Sequence, residues 1–389
     1  MAGRICNLSL VGTPSPGHRL RLLLAYASKG EKTMKKLLYV LLFTFLLTGL
    51  LFAAGKSETT ETSTMQIEDT TGNIAQLADI PERITFAGKS ANIVADVLYM
   101  FPEASERIVG TGTTNQRNGD FIEMLDPLYN SKTYLERNAG PEQIAATKPD
   151  LVIMKNFLKK SLGSPIAQLD IPVLYLNLET PEYYAKDFEM LGKVFNNEKR
   201  ASELISYYKN EQKYVTDRTN TLTEKPAILF IYHTSRDGIA AFNIPPESWI
   251  QTKLVEMAGG TPVWTDVHPG GGWSKVNMEQ IAAWNPDQIY LVAYKEDVKK
   301  VLSSMYNSAE WKELKAVKNK QLKAFPVDYY SWDQPDSRWI LGLNWLAQQI
   351  HPELFKDLDL KEKAEFFFKD LYYLSDKQYK EEILSRLGW

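Results

Sequence analysis

The chain has little cysteine and histidine for its length. Its 389 residues include one cysteine, Cys6, and four histidines, none of which falls within residues 65–180. A single thiol cannot form a disulfide framework within the chain, and a cysteine nucleophile is excluded once the N-terminal region is removed. A site for a free divalent ion needs several histidines and carboxylates that converge from both halves of a protein. The sequence therefore argues against a bare-metal site.

Three common catalytic motifs are also missing. The sequence contains no G-x-x-x-x-G-K-[ST] loop, no H-E-x-x-H and no G-x-S-x-G. We therefore expect no enzyme activity and no cofactor. A chelatase stays open as an alternative, because chelatases share a two-lobed α/β design and need only a histidine and acids. Here His233 or His268 could supply the histidine, and a neighbour such as Asp237 or Asp266 could supply the acid.

Charge is unevenly distributed along the chain. Residues 1–55 carry seven Lys or Arg and one acid, a net charge of +6, whereas the whole chain has a net charge of −3. The remaining residues therefore carry −9. An acidic body of this kind argues against nucleic acid as a partner.

The N-terminal region predicts export. Met34-Lys35-Lys36 precedes an apolar run over residues 37–54, and small residues follow as Ala53-Ala54-Gly55. This order is typical of a secretory signal peptide, with an uncleaved anchor as the alternative. No cysteine lies near the cleavage site, so we expect a periplasmic or cell-surface protein without lipid attachment there. We interpret residues 1–55 as the signal peptide preceded by a segment whose start codon was assigned too early, with Met34 as the true start. Residues 56–64 form a predicted polar linker.

One phrase occurs twice in the chain. Residues 142–153 read EQIAATKPDLVI and residues 279–290 read EQIAAWNPDQIY, with seven of twelve positions identical over a separation of 137 residues. Each copy predicts a helix, a turn led by Pro-Asp and then a strand. Two similar α/β halves predict two lobes, and clefts between lobes are where small ligands usually bind.

The pattern between these copies completes the architecture. Short apolar strands alternate with helices, which predicts mostly parallel sheets covered on both faces. Residues 65–181 form the predicted N-terminal lobe, and residues 222–389 form the C-terminal lobe with closing helices. Residues 182–221 contain no proline, and apolar residues recur in them at helical spacing. This pattern predicts one long connecting helix, and it leaves open a break near Asn196-Asn197. At 1.5 Å per residue it would extend about 60 Å.

The candidate ligand residues follow from the rule that ligands contact the carboxyl ends of strands in open α/β sheets. Strand-end residues with polar or aromatic side chains are the candidates, and we leave open for each a structural role or solvated surface charge. They are Ser90, Thr114, Asn115, Arg117, Lys155, Tyr232, His233, His268, Trp273, Tyr294, Tyr330, Trp332 and Arg338.

The loop His268-Pro269-Gly270-Gly271-Gly272-Trp273 is the most suggestive of these segments. Its glycines let the backbone approach a ligand closely, and Trp273 could stack on a flat ligand. His268 or His233 could contact a metal, and the strand-end arginines and lysines suit an anionic ligand. A flexible surface loop is the alternative interpretation.

Several phrases together resemble the helical-backbone class (class III) of periplasmic substrate-binding proteins of ABC importers. The resemblance covers residues 65–389. It rests on GPEQIAATKPDLVI (140–153), LVEMAGGTPVWTD (254–266), RWILGLNWLAQQIHPELF (338–355) and AEFFFKDLYYLSDKQYKEEI (364–383). Members of this class bind iron-siderophore complexes, haem, cobalamin or some oxyanions between two small parallel sheets joined by a long helix.

This resemblance implies a function and two docking residues. It implies a non-enzymatic, monomeric binding protein that captures a metal chelate, most simply a ferric siderophore or related iron complex, and delivers it to permease subunits in the membrane. Haem, cobalamin and molybdate- or tungstate-type oxyanions are alternative ligands, and a surface sensor is an alternative class. The docking carboxylates of the family, one per lobe, match Glu142 and Glu279, although each could simply stabilise a helix N-terminus.

Overall fold

The structure is a computed structural model that describes residues 64–237, 239–267 and 270–387. The predicted signal peptide, almost all of the polar linker and His268 lie outside the described residues. No helix in the described ranges has both the length and the apolar character that a bilayer span requires.

Parallel strands form the core of the N-terminal lobe. Its strands are β1 (Met65–Glu68), β2 (Ile74–Leu77), β3 (Ile84–Phe86), β4 (Ile108–Thr111), β5 (Thr133–Tyr134), β6 (Leu151–Lys155) and β7 (Val173–Leu176). Strands β3 to β7 make a parallel sheet in the order β5-β4-β3-β6-β7, while β1 and β2 pair antiparallel beside it. Every residue of β3, β6 and β7 is buried, as expected for strands with helices on both faces.

A mixed sheet forms the core of the C-terminal lobe. Its strands are β8 (Ala227–Arg236), β9 (Ile239–Ile244), β10 (Thr261–Pro262), β11 (Ser274–Val276), β12 (Gln288–Val292) and β13 (Leu322–Ala324). The order is β11-β9-β8-β12-β13, with β10 also on β8. Strands β8, β10, β12 and β13 are parallel, and β9 runs antiparallel to β8. The sequence did not predict β9, because its exposed alanines have low strand propensity.

The duplicated phrase occupies equivalent places in the two sheets. Asp150 directly precedes β6, the strand of the first copy, and Asp287 directly precedes β12, the strand of the second copy. In the first copy the Asp150 N–H donates to the Arg83 carbonyl at 3.0 Å, and its carboxylate accepts from the Arg83 N–H. In the second copy the Asp287 N–H donates to the Ala227 carbonyl at 2.8 Å, and its carboxylate accepts from the Ala227 N–H. The Pro-Asp pair therefore fixes the same strand register twice.

Helices cover both sheets and connect them. They are α1 (Ala91–Leu98), α2 (Ala104–Arg107), α3 (Phe121–Leu125), α4 (Pro141–Ala145), α5 (Ser164–Ala167), α6 (Pro181–Phe195), α7 (Glu198–Thr219), α8 (Ile250–Met257), α9 (Met278–Trp284), α10 (Val298–Asn307), α11 (Ala309–Lys312), α12 (Lys315–Lys318), α13 (Trp339–Ile350), α14 (Leu360–Phe366), α15 (Asp376–Gln378) and α16 (Ser385–Leu387). The predicted fold class, α/β with parallel sheets and flanking helices in two lobes, is confirmed.

The connecting segment differs from a single rod over residues 182–221. Asn196 adopts a left-handed conformation with φ 51° and ends α6, and the Asn197 side chain caps α7 by accepting the Arg200 N–H at 3.0 Å. Gly192 permits the close approach, because an added Cβ would lie 2.7 Å from that of Ala201. The two helices therefore fold against each other, and only the 22-residue α7 provides a long helix, about 33 Å in length.

The C-terminal helices also differ from the prediction, which assigned them to the C-terminal lobe. Tyr372 donates its hydroxyl to the Asp96 carbonyl at 2.8 Å, and its ring contacts Phe121 with centroids 5.0 Å apart. Both partners belong to the N-terminal lobe. The end of the chain thus returns across the molecule and joins the two lobes, a long-range pairing that no local sequence pattern encodes.

A buried ion-pair network links the lobes at the centre of the molecule. The Arg338 guanidinium donates from Nη1 to Asp96 on α1 at 2.7 Å and from Nε to Asp328, which follows β13, at 2.8 Å. All three side chains are fully buried. Burial opposes the charge of Arg338, but the carboxylates of Asp328 and Asp96 outweigh burial and raise its pKa. The guanidinium also lies 4.2 Å from the ring centroid of Phe121.

We expect Arg338→Met to destabilise the protein by about 3–5 kcal/mol, because it leaves two buried carboxylates without their cation. The free energy of unfolding, measured by urea denaturation at pH 7, tests this. Arg236→Met is the matched control, since that side chain is 94% exposed, and it should change the free energy by no more than about 0.5 kcal/mol. A loss in Arg338→Met that is no larger than in the control would contradict the assignment.

Candidate interlobe ligand site

A tight turn after β4 carries the first polar residues of the site. Backbone hydrogen bonds in both directions between Gln116 and Gly119, each 3.1 Å long, close the turn and place Arg117 and Asn118 at its tip. Gly119 has φ 111°, a conformation that residues with side chains rarely adopt. The tight turn therefore places the polar residues Arg117 and Asn118 beyond the end of β4.

The same turn touches the C-terminal lobe. The Gln116 side-chain amide donates to the Gln334 side chain at 2.8 Å, and the Asn118 side-chain amide donates to the Asp328 carbonyl at 2.7 Å. Direct hydrogen bonds of this kind hold the lobes close together beside the cleft.

A cavity of about 190 Å³ lies at this junction. Residues from the β4 turn, from the loop after β12, from the loop after β13 and from the C-terminal end of the chain line it. The charged or aromatic ones are Arg117, Tyr294, Glu296, Asp297, Lys299, Tyr329 and Arg386. Parallel strands bring these loops to one edge of each sheet, as the rule for open α/β sheets predicts.

The cavity wall carries more positive than negative charge. Arg117, Lys299 and Arg386 supply three cations, against the carboxylates of Glu296 and Asp297. The ion pair between Arg117 and Asp297 is long, at 3.4 Å, and both side chains are partly exposed. A pair of this kind contributes little to stability, so an anionic solute could replace Asp297 at low cost.

An aromatic cluster lies beside the cavity and shares Tyr294 with it. The Trp273 ring lies 5.0 Å from Tyr232, 5.6 Å from Trp249 and 6.3 Å from Tyr294, measured between centroids. All four side chains are partly exposed. Burial, followed by the nearby Glu296 and Asp333 carboxylates, raises the pKa of Tyr232. The cluster offers an apolar surface of mutually inclined rings at the edge of a polar cavity.

A buried carboxylate supports this aromatic surface. Asp333 accepts hydrogen bonds from the Tyr294 hydroxyl at 2.6 Å, the Ser331 hydroxyl at 2.5 Å and the Gln251 side-chain amide at 3.3 Å. Burial raises the pKa of Asp333 to about 6, although these hydrogen bonds oppose the change. Asp333 therefore fixes the orientation of Tyr294 where that ring faces the cavity.

The two histidines expected near a metal differ in position. His233 is buried, with Nδ1 lying 3.2 Å from a carboxylate oxygen of Glu296 and its ring packing against Phe242. Glu296 connects it to the cavity wall. His268 lies outside the described residues. Within those residues there is no cluster of three or more His, Cys, Asp or Glu side chains that could hold a metal ion.

Several predicted ligand residues are buried in the core and do not line the cavity. Arg338 is bound by two carboxylates, the Trp332 indole donates to Asp328 at 2.8 Å, and the Tyr330 hydroxyl donates to the Thr114 carbonyl at 2.8 Å. All four predicted residues are fully buried. None of the four lines the cavity, because the loop after β13 turns inward to the interlobe core and its Tyr330 binds Thr114, which follows β4.

Lys155 does not line the cavity either. Its ammonium group is buried and donates to the Asn177 carbonyl and to the Glu179 carboxylate, the latter at 2.9 Å. It is therefore part of the N-terminal lobe rather than a free strand-end cation. Ser90 is partly exposed at the start of α1, and Asn115 is exposed; neither lines the cavity.

The sequence interpretation missed several cavity residues. Asn118 lies one residue beyond the candidate Arg117, and Asp297 and Lys299 lie three and five residues beyond the candidate Tyr294. Extending each strand-end window by a few residues would have found them. Arg386 had no such signal, because it follows no strand and reaches the cavity only through the path of the C-terminal helices.

Glu142 and Glu279 occupy matching positions in the two lobes. Each lies in the first turn of its helix, α4 or α9, and each is exposed. Among the described residues neither carboxylate has an ion-pair partner. Two equivalent unpaired acids, one on each lobe, are available to an external cation.

Comparisons with known proteins agree with this architecture. Residues 89–329 match the family described as periplasmic binding protein. The chain is 22% identical over 299 residues to the molybdate-binding protein MolA of Haemophilus influenzae, covering 71% of this chain and 82% of that protein. It is 21% identical over 283 residues to the Fe(3+)-citrate-binding protein YfmC of Bacillus subtilis, covering 72% and 82% respectively.

The same relation holds for solved structures. A periplasmic solute binding protein from Veillonella parvula superposes with a TM-score of 0.66 at 23% sequence identity, over 83% of this chain and 98% of that one. Since the family match spans well over half of the 389 residues, and the fold agrees with it, the chain belongs to the periplasmic binding protein family.

Proposed function

We propose that this chain is an extracytoplasmic solute-binding protein that captures an anionic metal complex or oxyanion in its interlobe cavity and delivers it to an ABC importer. The observation that carries the proposal is the cavity itself. It lies between the lobes, and it is lined by cationic side chains from the N-terminal lobe, the C-terminal lobe and the C-terminal helices. The protein would bind its solute without altering it.

The size of the cavity favours small solutes. A volume of about 190 Å³ is below the roughly 300–1,000 Å³ of pockets that enclose drug-sized ligands. A compact iron complex such as ferric citrate, or a tetrahedral oxyanion such as molybdate, suits this volume and the positive wall. Haem, cobalamin and a large siderophore would require the lobes to separate and the hydrogen bonds of the β4 turn to break.

The aromatic cluster supports the metal-complex alternative. A chelate presents apolar edges as well as anionic oxygens, and Trp273 and Tyr232 offer a partly exposed surface beside the cations. An oxyanion would use the cations and would leave this surface unoccupied. The two solutes therefore make different demands on neighbouring parts of the cleft.

The purified protein should bind molybdate or ferric citrate with one solute per chain. Arg117→Ala should weaken that binding by about 10- to 100-fold, because a hydrogen bond to a charged group contributes about 1.5–3 kcal/mol. Isothermal titration calorimetry measures the change, and native mass spectrometry with an absorption spectrum identifies any solute that co-purifies.

The matched control for Arg117 is Arg218→Ala on α7, where the guanidinium pairs with Asp357 away from the cavity residues. This variant should bind as the unchanged protein does. Binding of neither probe, with no co-purified solute, would overturn the proposal. If Arg117→Ala binds solute as tightly as the unchanged protein, Arg117 does not contact the solute.

The docking function proposed for Glu142 and Glu279 has a separate test. The double variant Glu142→Ala/Glu279→Ala should keep its affinity for solute within about twofold but lose uptake into cells that carry the cognate permease. Surface ion pairs add only about 0–1 kcal/mol each, so their effect lies in orienting the two lobes on the permease.

The control for docking is Glu198→Ala/Glu362→Ala. These glutamates are also exposed and also lie in the first turns of helices, α7 and α14. Uptake by the control should be normal. If the Glu142/Glu279 variant also supports normal uptake, these two carboxylates serve only their own helix N-termini.

A further inference from the structure

The last helix of the described residues reaches the interlobe cavity, although it lies outside the segment that matches the family. After α15, a π-helical turn over Tyr379–Leu384 leads into α16. The Gln378 side chain contacts the Met124 sulfur of the N-terminal lobe at 3.8 Å. Arg386, on α16, then lines the cavity.

Contacts with three residues hold the Arg386 side chain in place. Its guanidinium carbon lies 4.0 Å from the ring centroid of Tyr329. Nη1 donates to the Glu382 carbonyl at 2.7 Å and to the Glu382 carboxylate at 2.9 Å. Nε makes a longer bond, 3.4 Å, to the Asn118 carbonyl of the β4 turn. The described residues provide no hydrogen-bond acceptor for Nη2.

Glu382 also binds the tyrosine beneath the guanidinium. The Tyr329 hydroxyl donates to the Glu382 carboxylate at 2.6 Å. Because Tyr329 comes from the loop after β13 and Glu382 from the C-terminal end, this triangle attaches Arg386 to the C-terminal lobe. The Arg386 side chain remains 28% exposed, so it is ordered and still accessible from the cavity.

Arg117 approaches the same residue of the β4 turn from the other side. Its Nη1 donates to the Asn118 side-chain oxygen at 3.1 Å, while Arg386 binds the Asn118 main-chain oxygen. Asn118 therefore keeps two guanidinium groups on one wall of the cavity. Its own side-chain amide is fixed by the Asp328 carbonyl.

We propose that Arg386 contacts the captured solute, and that Arg386 and Arg117 together clamp one anionic group of it, a carboxylate or an oxyanion. Guanidinium groups present planar pairs of donors that match such oxygens. Nη2 of Arg386 and the loosely held Nη2 of Arg117 are the donors. Asp297 can give up its bond to Arg117, because its carboxylate also caps α10 by accepting the Lys299 N–H at 3.1 Å.

This inference rests on the proposed function, and its test separates the two. Binding of molybdate and of ferric citrate is measured by isothermal titration calorimetry in the full chain and in four variants. We expect Arg386→Gln to bind whichever probe the unchanged protein binds about 10- to 100-fold more weakly. The affinity of Arg386→Lys should lie between those of Arg386→Gln and the unchanged protein. Lys380→Gln is the matched control, since Lys380 is an exposed cation of the same segment, and it should bind normally.

Glu382→Gln distinguishes contact from support. If Arg386 binds the solute, removing the charge of Glu382 leaves the cation less neutralised, and affinity should stay equal or increase. If Arg386 only holds the C-terminal segment in place, Glu382→Gln should weaken binding as Arg386→Gln does. Melting temperatures of all variants monitor folding, and Arg386→Lys with Glu382→Gln decide the matter if Arg386→Gln does not fold.

The outcomes are distinct. Binding by the unchanged protein together with equal binding by Arg386→Gln rejects the clamp and leaves the proposed function in place. Parallel losses in Arg386→Gln and Glu382→Gln also reject it. Failure of the unchanged protein to bind either probe, with no co-purified solute, rejects the proposed function itself.

Discussion

The buried guanidinium of Arg338 is the interaction on which the rest of the structure depends. It joins Asp96, on a helix of the N-terminal lobe, to Asp328, in a loop of the C-terminal lobe, with all three side chains removed from water. Two charges of one sign and one of the other cannot be buried apart, because each would lack compensation for its lost hydration. The network therefore fixes the spacing of the lobes, and the cavity beside it takes its size from that spacing.

A third acid completes this arrangement. Burial, followed by the charge of Asp96, raises the pKa of Asp336 well above its ordinary value, which favours its neutral form. Helix α13 begins three residues after Asp336. Gly342 on this helix allows the Trp332 backbone to pack directly against it, because an added Cβ would clash with the Trp332 carbonyl. Tyr208 adds a hydrogen bond from the connecting helix to the Ser337 carbonyl, at 2.6 Å. Loop, closing helix and connecting helix thus meet at one desolvated point.

The cleft shows the opposite physical character. Its charged residues are partly exposed, its ion pair between Arg117 and Asp297 is long, and its hydrogen bonds between the lobes use partly buried side-chain amides. Such contacts are individually weak and exchange readily with water or solute. The buried junction therefore holds the lobes together more strongly than the contacts that border the cavity.

The sequence alone determined the local units of this protein. The duplicated phrase encoded a helix, a Pro-Asp turn and a buried strand, because each of these follows from short-range periodicity and turn chemistry. It also encoded the equivalent places of Glu142 and Glu279, since equivalent helices start with them. Only the tertiary structure decided which strand-end residues line the interlobe cavity and which are buried in the core. Arg117 stayed at the surface on a two-residue turn, whereas Arg338 turned inward to two carboxylates from distant segments. Arg386 reached the cavity because the chain crosses both lobes before it ends, and burial and long-range pairing of this kind depend on the whole fold rather than on any local pattern.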